Sequence, residues 1–320
     1  MIIYNIQVLR AFAAVSIVIV HSLLGIHSYE FQSVNKFNLD DFGVDIFFVI
    51  SGFIMVFIQN NYKRNSIDFF IQRVKRILPI YWICNFTILL LFLLFPAIFN
   101  TLKINFDHFF LSLFFLSQYI FLDKPIIVAG WTLEYEIFFY FLFAIFINIK
   151  NIKFSYFFIF ITISILCFTE LINLIFIEFL FGMMIGIIYI NSSEVQKKIL
   201  HNYSYYFLIF GFIILLLPIF NSLEINRLIK YGLPSTLIVL GSIHAKQITN
   251  KYAILIGNAS YSIYLAQGFC IPAILKFFKI FYPEFDMVII FFILLIGSVL
   301  FGLFIYYFIE RNLSLLIKKL

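Results

Sequence analysis

Apolar runs of about twenty residues recur along this chain from end to end, and that recurrence limits the fold more than any motif does. About 20 mostly apolar residues are what an α-helix needs to cross the hydrocarbon core of a bilayer. Such runs fall at 6–26, 41–59, 76–98, 130–148, 154–170, 172–190, 204–222, 231–245, 254–277 and 287–310. A soluble domain keeps roughly a quarter of its residues charged; here the share is 12%, against 63% hydrophobic. The chain therefore reads as all-α, a polytopic membrane helical bundle of about ten transmembrane helices, forming a single domain over residues 1–320.

Loop charge orients the bundle. With ten spans and a cytoplasmic N-terminus, Lys and Arg in and beside the inside loops number roughly 14, against roughly 7 outside. The shorter stretch "FFLSLFFLSQYIFL" at 109–122 could be an eleventh span. Counting it as one levels the charge to roughly 10 against 11 and erases the bias. The preferred reading puts both termini in the cytoplasm and lays 109–122 on the outer surface. Its weakest joint is Glu170–Leu171, where two spans meet with almost no loop.

The net charge of +6 does not point to nucleic acid. In a membrane protein, excess Lys and Arg marks cytoplasmic loops beside anionic lipid. Cys84, Cys167 and Cys270 stand far apart inside apolar runs, without metal or redox spacing, and read as small core residues. No metal site is expected. The first run has an arginine near its start and no convincing cleavage site, so it reads as a retained first span. No internal repeat is apparent.

That first run, "QVLRAFAAVSIVIVHS", holds Arg10 and His21 with only apolar and small residues between them. Eleven helical residues rotate by about 20° beyond three full turns and rise about 16 Å. Both side chains thus share one stripe at two depths, Arg10 near the cytoplasmic end and His21 in the outer half. Arg10 could simply snorkel to the interface while His21 bonds a neighbouring helix; the other reading is a functional pair, the usual meaning of ionisable groups inside a membrane.

Asp45, in "DDFGVDIFFVISGFIM", should sit near the depth of His21, or only cap its helix. Glu136, in "GWTLEYEIFFY", lies about 9 Å below the start of its span, also approaching His21. A buried carboxylate needs a partner, and His21 is the natural one. Glu134, about 200° away on that helix, should face elsewhere, nearer water. At the cytoplasmic end, "RVKRILPIYW" sets Arg73, Lys75 and Arg76 before the third span, as a positive-inside anchor or as a phosphate clamp with Arg10. Tyr261 and Tyr264, three residues apart on one face, line a pore or only pack. Glu310 and Arg311 are placed to pair with each other.

Taken in order, five stretches resemble the acyltransferase-3 family of integral membrane acyltransferases. They are Arg10 and His21 with ten residues between; "GVDIFFVISGF" at 43–53; "RVKRILPIYW" at 73–82; "WTLEYEIFFY" at 131–140; and "GNASYSIYLAQ" at 257–267. The closing "YYFIERN" is similar to the family's terminal signature. The resemblance spans nearly the whole chain. Gln267, Asn258 and Asn312 depart from it, standing where many members carry histidine, aspartate and proline.

The resemblance implies about ten spans and transfer of an acyl group, commonly acetyl from acetyl-CoA, to a surface glycan or lipid-linked saccharide, in the bacterial inner membrane. It also implies that Arg10 and His21 are essential. On that basis Arg10, Arg73, Arg76 and Tyr261 are expected to bind the CoA portion. His21 is expected to act as general base, with Asp45 or Glu136 as its orienting carboxylate. Ser51 or Trp131 would donate to the developing oxyanion. The roughly 16 Å from Arg10 to His21 is about the length of CoA's pantetheine arm. The main alternative is a transporter or flippase of a glycan or lipid-linked sugar, for which a polar stripe would also serve. The lack of paired, interrupted halves argues against it. Acyl chain, acceptor hydroxyl and oligomeric state are not readable.

Overall fold

The computed structural model describes residues 3–29, 40–98, 104–120, 124–220 and 225–317, and among these there is no strand. The chain folds as α1 (Tyr4–Ser28), α2 (Phe42–Tyr62) and α3 (Ser66–Leu94), then two short helices, α4 (Phe106–Leu113) and α5 (Ser117–Ile120). It continues as α6 (Trp131–Phe146), α7 (Ile152–Phe168), α8 (Ile177–Asn191), α9 (Glu194–Phe220) and α10 (Leu233–His244). The last helices are α11 (Lys251–Asn258), α12 (Ser260–Phe281), α13 (Met287–Ile305) and α14 (Arg311–Ile317). π-helical turns at Leu228–Gly232 and Tyr306–Glu310 run directly into α10 and α14.

Among the described residues, eight helices are long and apolar enough to cross a membrane. The other two expected crossings are the shorter α7 and α10. Among the described residues each of the ten apolar runs is thus mainly helical, and the chain is a multi-pass membrane bundle. Hydrogen bonds show how the helices alternate. At the face where α1 begins, the Asn5 amide donates to the carbonyls of Ser242 and Lys246 at 2.8 and 3.1 Å, and the Ser66 N–H to Asn148 Oδ1 at 3.1 Å. At the opposite face Arg227, just before α10, reaches Asp45 at the start of α2.

Two boundaries differ from those read in the sequence, and two uncertain stretches take definite form. The third helix begins at Ser66, not 76, because Asn65 caps it by accepting from the Asp68 N–H. Arg73, Lys75 and Arg76 therefore ride on the helix, and Pro79 lies inside it. The ninth run breaks at Ala259 into α11 and α12. The described residues of 109–122 hold no span, only the end of α4 and all of α5, with Phe115 between them in the left-handed region (φ 60); 121 and 122 lie outside the described residues. The joint at Glu170–Leu171 is made by Glu170 itself adopting φ 57, after which Asn173 caps the 3-10 turn leading into α8.

α2 is the centre of the bundle. It crosses α8 so closely that a Cβ on Gly52 would stand 2.0 Å from the Phe179 carbonyl oxygen, and one on Gly182 2.0 Å from that of Val49. Small residues at such crossings let the backbones touch, the main source of attraction between helices in lipid. Against α1, Gly43 seats over Ala13 and Ile17. This register fixes the depths of everything in the site.

Candidate functional site: a basic-ended cavity and a separate histidine–aspartate pair

A cavity opens among α1, α2, α3, α6 and α12. One end carries Arg10 and Arg76, the middle Ser51, Glu136 and Tyr140, and the other end Thr132 and Tyr264; apolar side chains of α2 fill in between. Arg10 donates from one guanidinium nitrogen to Ser260 Oγ at 2.9 Å and from the other to Gln7 Oε1 at 3.3 Å. It lies in the field of Arg76, Glu310 and Glu136. Ser51 Oγ donates to Glu136 at 3.0 Å, and the Tyr140 hydroxyl donates to the same carboxylate. Tyr264 donates to the Ala129 carbonyl at 2.7 Å and shares a 2.9 Å hydrogen bond with Thr132, tying α12 to α6.

His21 is on the same unbroken helix as Arg10, about 16 Å further along, but it is not among the residues lining this cavity. The carboxylate expected beside it is neither Glu136 nor Asp45. Its Nε2 stands 3.2 Å from Asp41 Oδ2, with both side chains partly exposed at 30% and 23%. The register of α2 explains the substitution. With Gly43 already level with Ala13 and Ile17, Asp45 lies below His21 and the Ser51–Glu136 pair falls near the depth of Arg10. Among the described residues it is Asp41, just before α2, whose carboxylate reaches the imidazole. Tyr264, at the far end of the cavity, lies in the field of Asp41.

Asp45 is fully buried and bound elsewhere. Arg227 forks onto it, with Nη2 at 2.7 Å from Oδ2 and Nε at 3.2 Å from Oδ1. The same Nη2 also reaches the Asp41 backbone carbonyl at 3.3 Å. Glu178 of α8, also fully buried, packs against the Asp45 carboxyl. Beside this trio, Asp40 accepts from Lys230 Nζ at 3.0 Å and the Tyr231 hydroxyl at 2.9 Å. Sequence reading missed Asp41, Glu178 and Arg227. The signal for Glu178 was present, a lone carboxylate inside the run "LIFIEFLFG". Nothing local marks Arg227, which is 182 residues from its partner.

Of the other candidates, Arg76 and Tyr261 line the cavity, Tyr261 donating to the Ile77 carbonyl at 2.6 Å. Arg73 does not line it; one turn earlier on α3, it is buried with no partner for its Nε. Ser51 lines it, while Trp131 packs edge-on against Phe48 and Tyr135. Glu134 is fully buried rather than near water, accepting from the Ser117 and Gln118 amides at 3.1 and 3.0 Å and so anchoring α5. Glu310 accepts from Ser262 rather than pairing with Arg311. Gln267 is buried with no hydrogen-bond partner for either polar atom.

The described residues thus form a multi-pass bundle with a basic-ended internal cavity and a histidine–carboxylate pair beyond it. The chain belongs to the acyltransferase-3 family: the family's model, described as an acyltransferase domain, matches residues 3–307. The protein is therefore a membrane acyltransferase, and the transporter alternative lapses. One similar curated protein is the exopolysaccharide production protein ExoZ of Rhizobium meliloti, 30% identical over an alignment covering 78% of this chain and 82% of that protein. No solved structure matches the chain.

Proposed function

We propose that the protein transfers acetyl from acetyl-CoA to a hydroxyl of a cell-surface or lipid-linked polysaccharide, in a bacterial inner membrane with both termini cytoplasmic. The observation that carries this reading is one helix, α1, bearing an arginine at a basic cavity end and a histidine bonded to a carboxylate about 16 Å away. The polysaccharide acceptor is drawn from the similarity to ExoZ, whose name places it in exopolysaccharide production.

In this reading Arg10 and Arg76 hold the phosphates of the donor at the cytoplasmic mouth, with Arg73 buried behind them. Guanidinium groups suit that task through fork geometry and permanent charge. Ser51, Glu136, Tyr140 and Tyr261 give hydrogen-bonding groups near that basic end, and Thr132 and Tyr264 line the wall further along, where a pantetheine arm would run. Donor chemistry supplies an activated thioester, and the side chains of this protein do the rest. A carboxylate can only accept, so Asp41 takes the Nε2–H of His21 and leaves Nδ1 with its lone pair. His21 Nδ1 removes the proton of the acceptor hydroxyl as the new C–O bond forms and the C–S bond breaks. The same imidazole returns that proton to the departing thiolate, so one ester and one free thiol result. Asp41 stabilises the imidazolium in between, the part given at sequence level to Asp45 or Glu136.

The test is direct. Membranes containing the protein are supplied with acetyl-CoA labelled in the acetyl group, and label is counted in extracted polysaccharide. Incorporation that depends on the protein supports the reading. Label that stays in CoA or appears only as acetate refutes a polysaccharide acceptor.

A further inference from the structure

The buried trio of Asp45, Glu178 and Arg227 has no part in the mechanism above, yet it adjoins the one carboxylate that does. Its members come from α2, α8 and the turn before α10, and two are fully buried carboxyls. Removing such charges from water is expensive, and a plain apolar packing would serve the fold as well or better. The geometry of Arg227 offers a reason for keeping them. Asp45 is clamped by the backbone of α2 four residues below Asp41, and it holds the guanidinium by two hydrogen bonds, at 2.7 and 3.2 Å. The same Nη2 extends to the Asp41 carbonyl at 3.3 Å. Asp41 in turn meets His21 through Oδ2 at 3.2 Å, while its Oδ1 is buried with no partner. Asp41 stands outside α2 with a non-helical backbone (φ −74, ψ 54), and its side chain does not cap the helix. What fixes it is the backbone bond of Val44 to its carbonyl at 2.9 Å and the reach of Arg227 to that same oxygen.

We propose that Arg227 is a positioning residue for the transfer reaction: anchored by Asp45, it holds the backbone of Asp41 so that the Asp41 carboxylate meets His21. The proposal rests on the reading of His21 as the base. Among the described residues, charged and titratable groups beside the pair include Asp40, Lys230 and Tyr231 on the α10 side and Tyr264 on the α12 side.

Two variants separate positioning from simple neutralisation of Asp45. Arg227→Lys keeps the cation but loses the Nε hydrogen bond to Asp45 Oδ1, and its shorter side chain ends one bond short of where Nη2 reaches the Asp41 carbonyl. Asp45→Asn/Arg227→Gln removes both charges together, so neither is left buried alone. Each is assayed in membranes with labelled acetyl-CoA, with activity normalised to the amount of protein present. The expected result for both is a kcat lower by about 10- to 100-fold, the penalty of a misplaced reacting group, with KM for acetyl-CoA unchanged because the Arg10 end is untouched. In purified protein, the ¹⁵N signal of His21 should also lose its hydrogen-bonded signature. Wild-type kcat in either variant overturns the proposal and leaves Arg227 a counterion; so does an altered KM with kcat intact. His21→Ala, run in parallel, keeps the two ideas apart. If it retains full activity, the base reading itself falls. If it is inactive while the Arg227 variants turn over normally, only the positioning role falls.

Discussion

At the scale of single residues, the molecule separates two tasks that the sequence places on one stripe. Arg10 belongs to the cavity, held by Ser260 and Gln7, and His21 to the rim, held by Asp41. His21→Ala should lower acetyl transfer by about 10²- to 10⁴-fold, the usual worth of a positioned general base, with the protein still inserted; labelled-acetyl counting and a membrane immunoblot check this together. Arg10→Lys should instead raise KM for acetyl-CoA, since Lys lacks the fork, and a titration of donor concentration would show it. Asp40 gives a pH prediction. Burial opposes its charge, but hydrogen bonds from Lys230 and Tyr231 and their neighbouring cations hold its carboxyl below the ordinary range. A carboxylate lowered on folding stabilises the protein above its unfolded value, and that contribution vanishes as pH falls through the folded one. Melting temperature should therefore drop on acidification in the wild type, and less steeply in Asp40→Asn. The stripe itself was legible because Arg10 and His21 share a helix and a helix has a fixed pitch. The partner of His21 was not, because it depends on how far α1 stands past the start of α2, and no local pattern records that offset.

At the scale of elements, apolar length located the long helices but not their ends. Residues 66–75 carry Asp68, Arg73 and Lys75, so hydropathy stops short there although the helix continues to its Asn65 cap. The break at Ala259 was hidden for the opposite reason, since apolar residues run on both sides of it. Contacts between helices turn on glycines that hydropathy does not weigh. Gly182→Leu would drive a side chain into the Val49 carbonyl, which already lies 2.0 Å from where a Cβ would sit. Overpacking of this kind costs about 1–3 kcal/mol or more. The expected outcome is a lower melting temperature and less folded protein, measured by fluorescence-detected chromatography after heating. Gly268, which has open space around it, should accept Ala with little change.

At the scale of the whole molecule, alternating helix directions predict which loops share a side. In a background without native cysteines, single cysteines at Lys63 and Lys197 should react with an impermeant maleimide only from the cytoplasmic side. Those at Glu170 and Glu284 should react only from the other. Labelling of all four from one side would contradict ten crossings. The overhang of α1 beyond α2 bears on what such an enzyme can handle. An imidazole set at a partly open rim, rather than at the bottom of a shaft, asks only that one hydroxyl come within reach. A sugar strand of any length could then be decorated at interior units as readily as at its tip, with no need to thread an end.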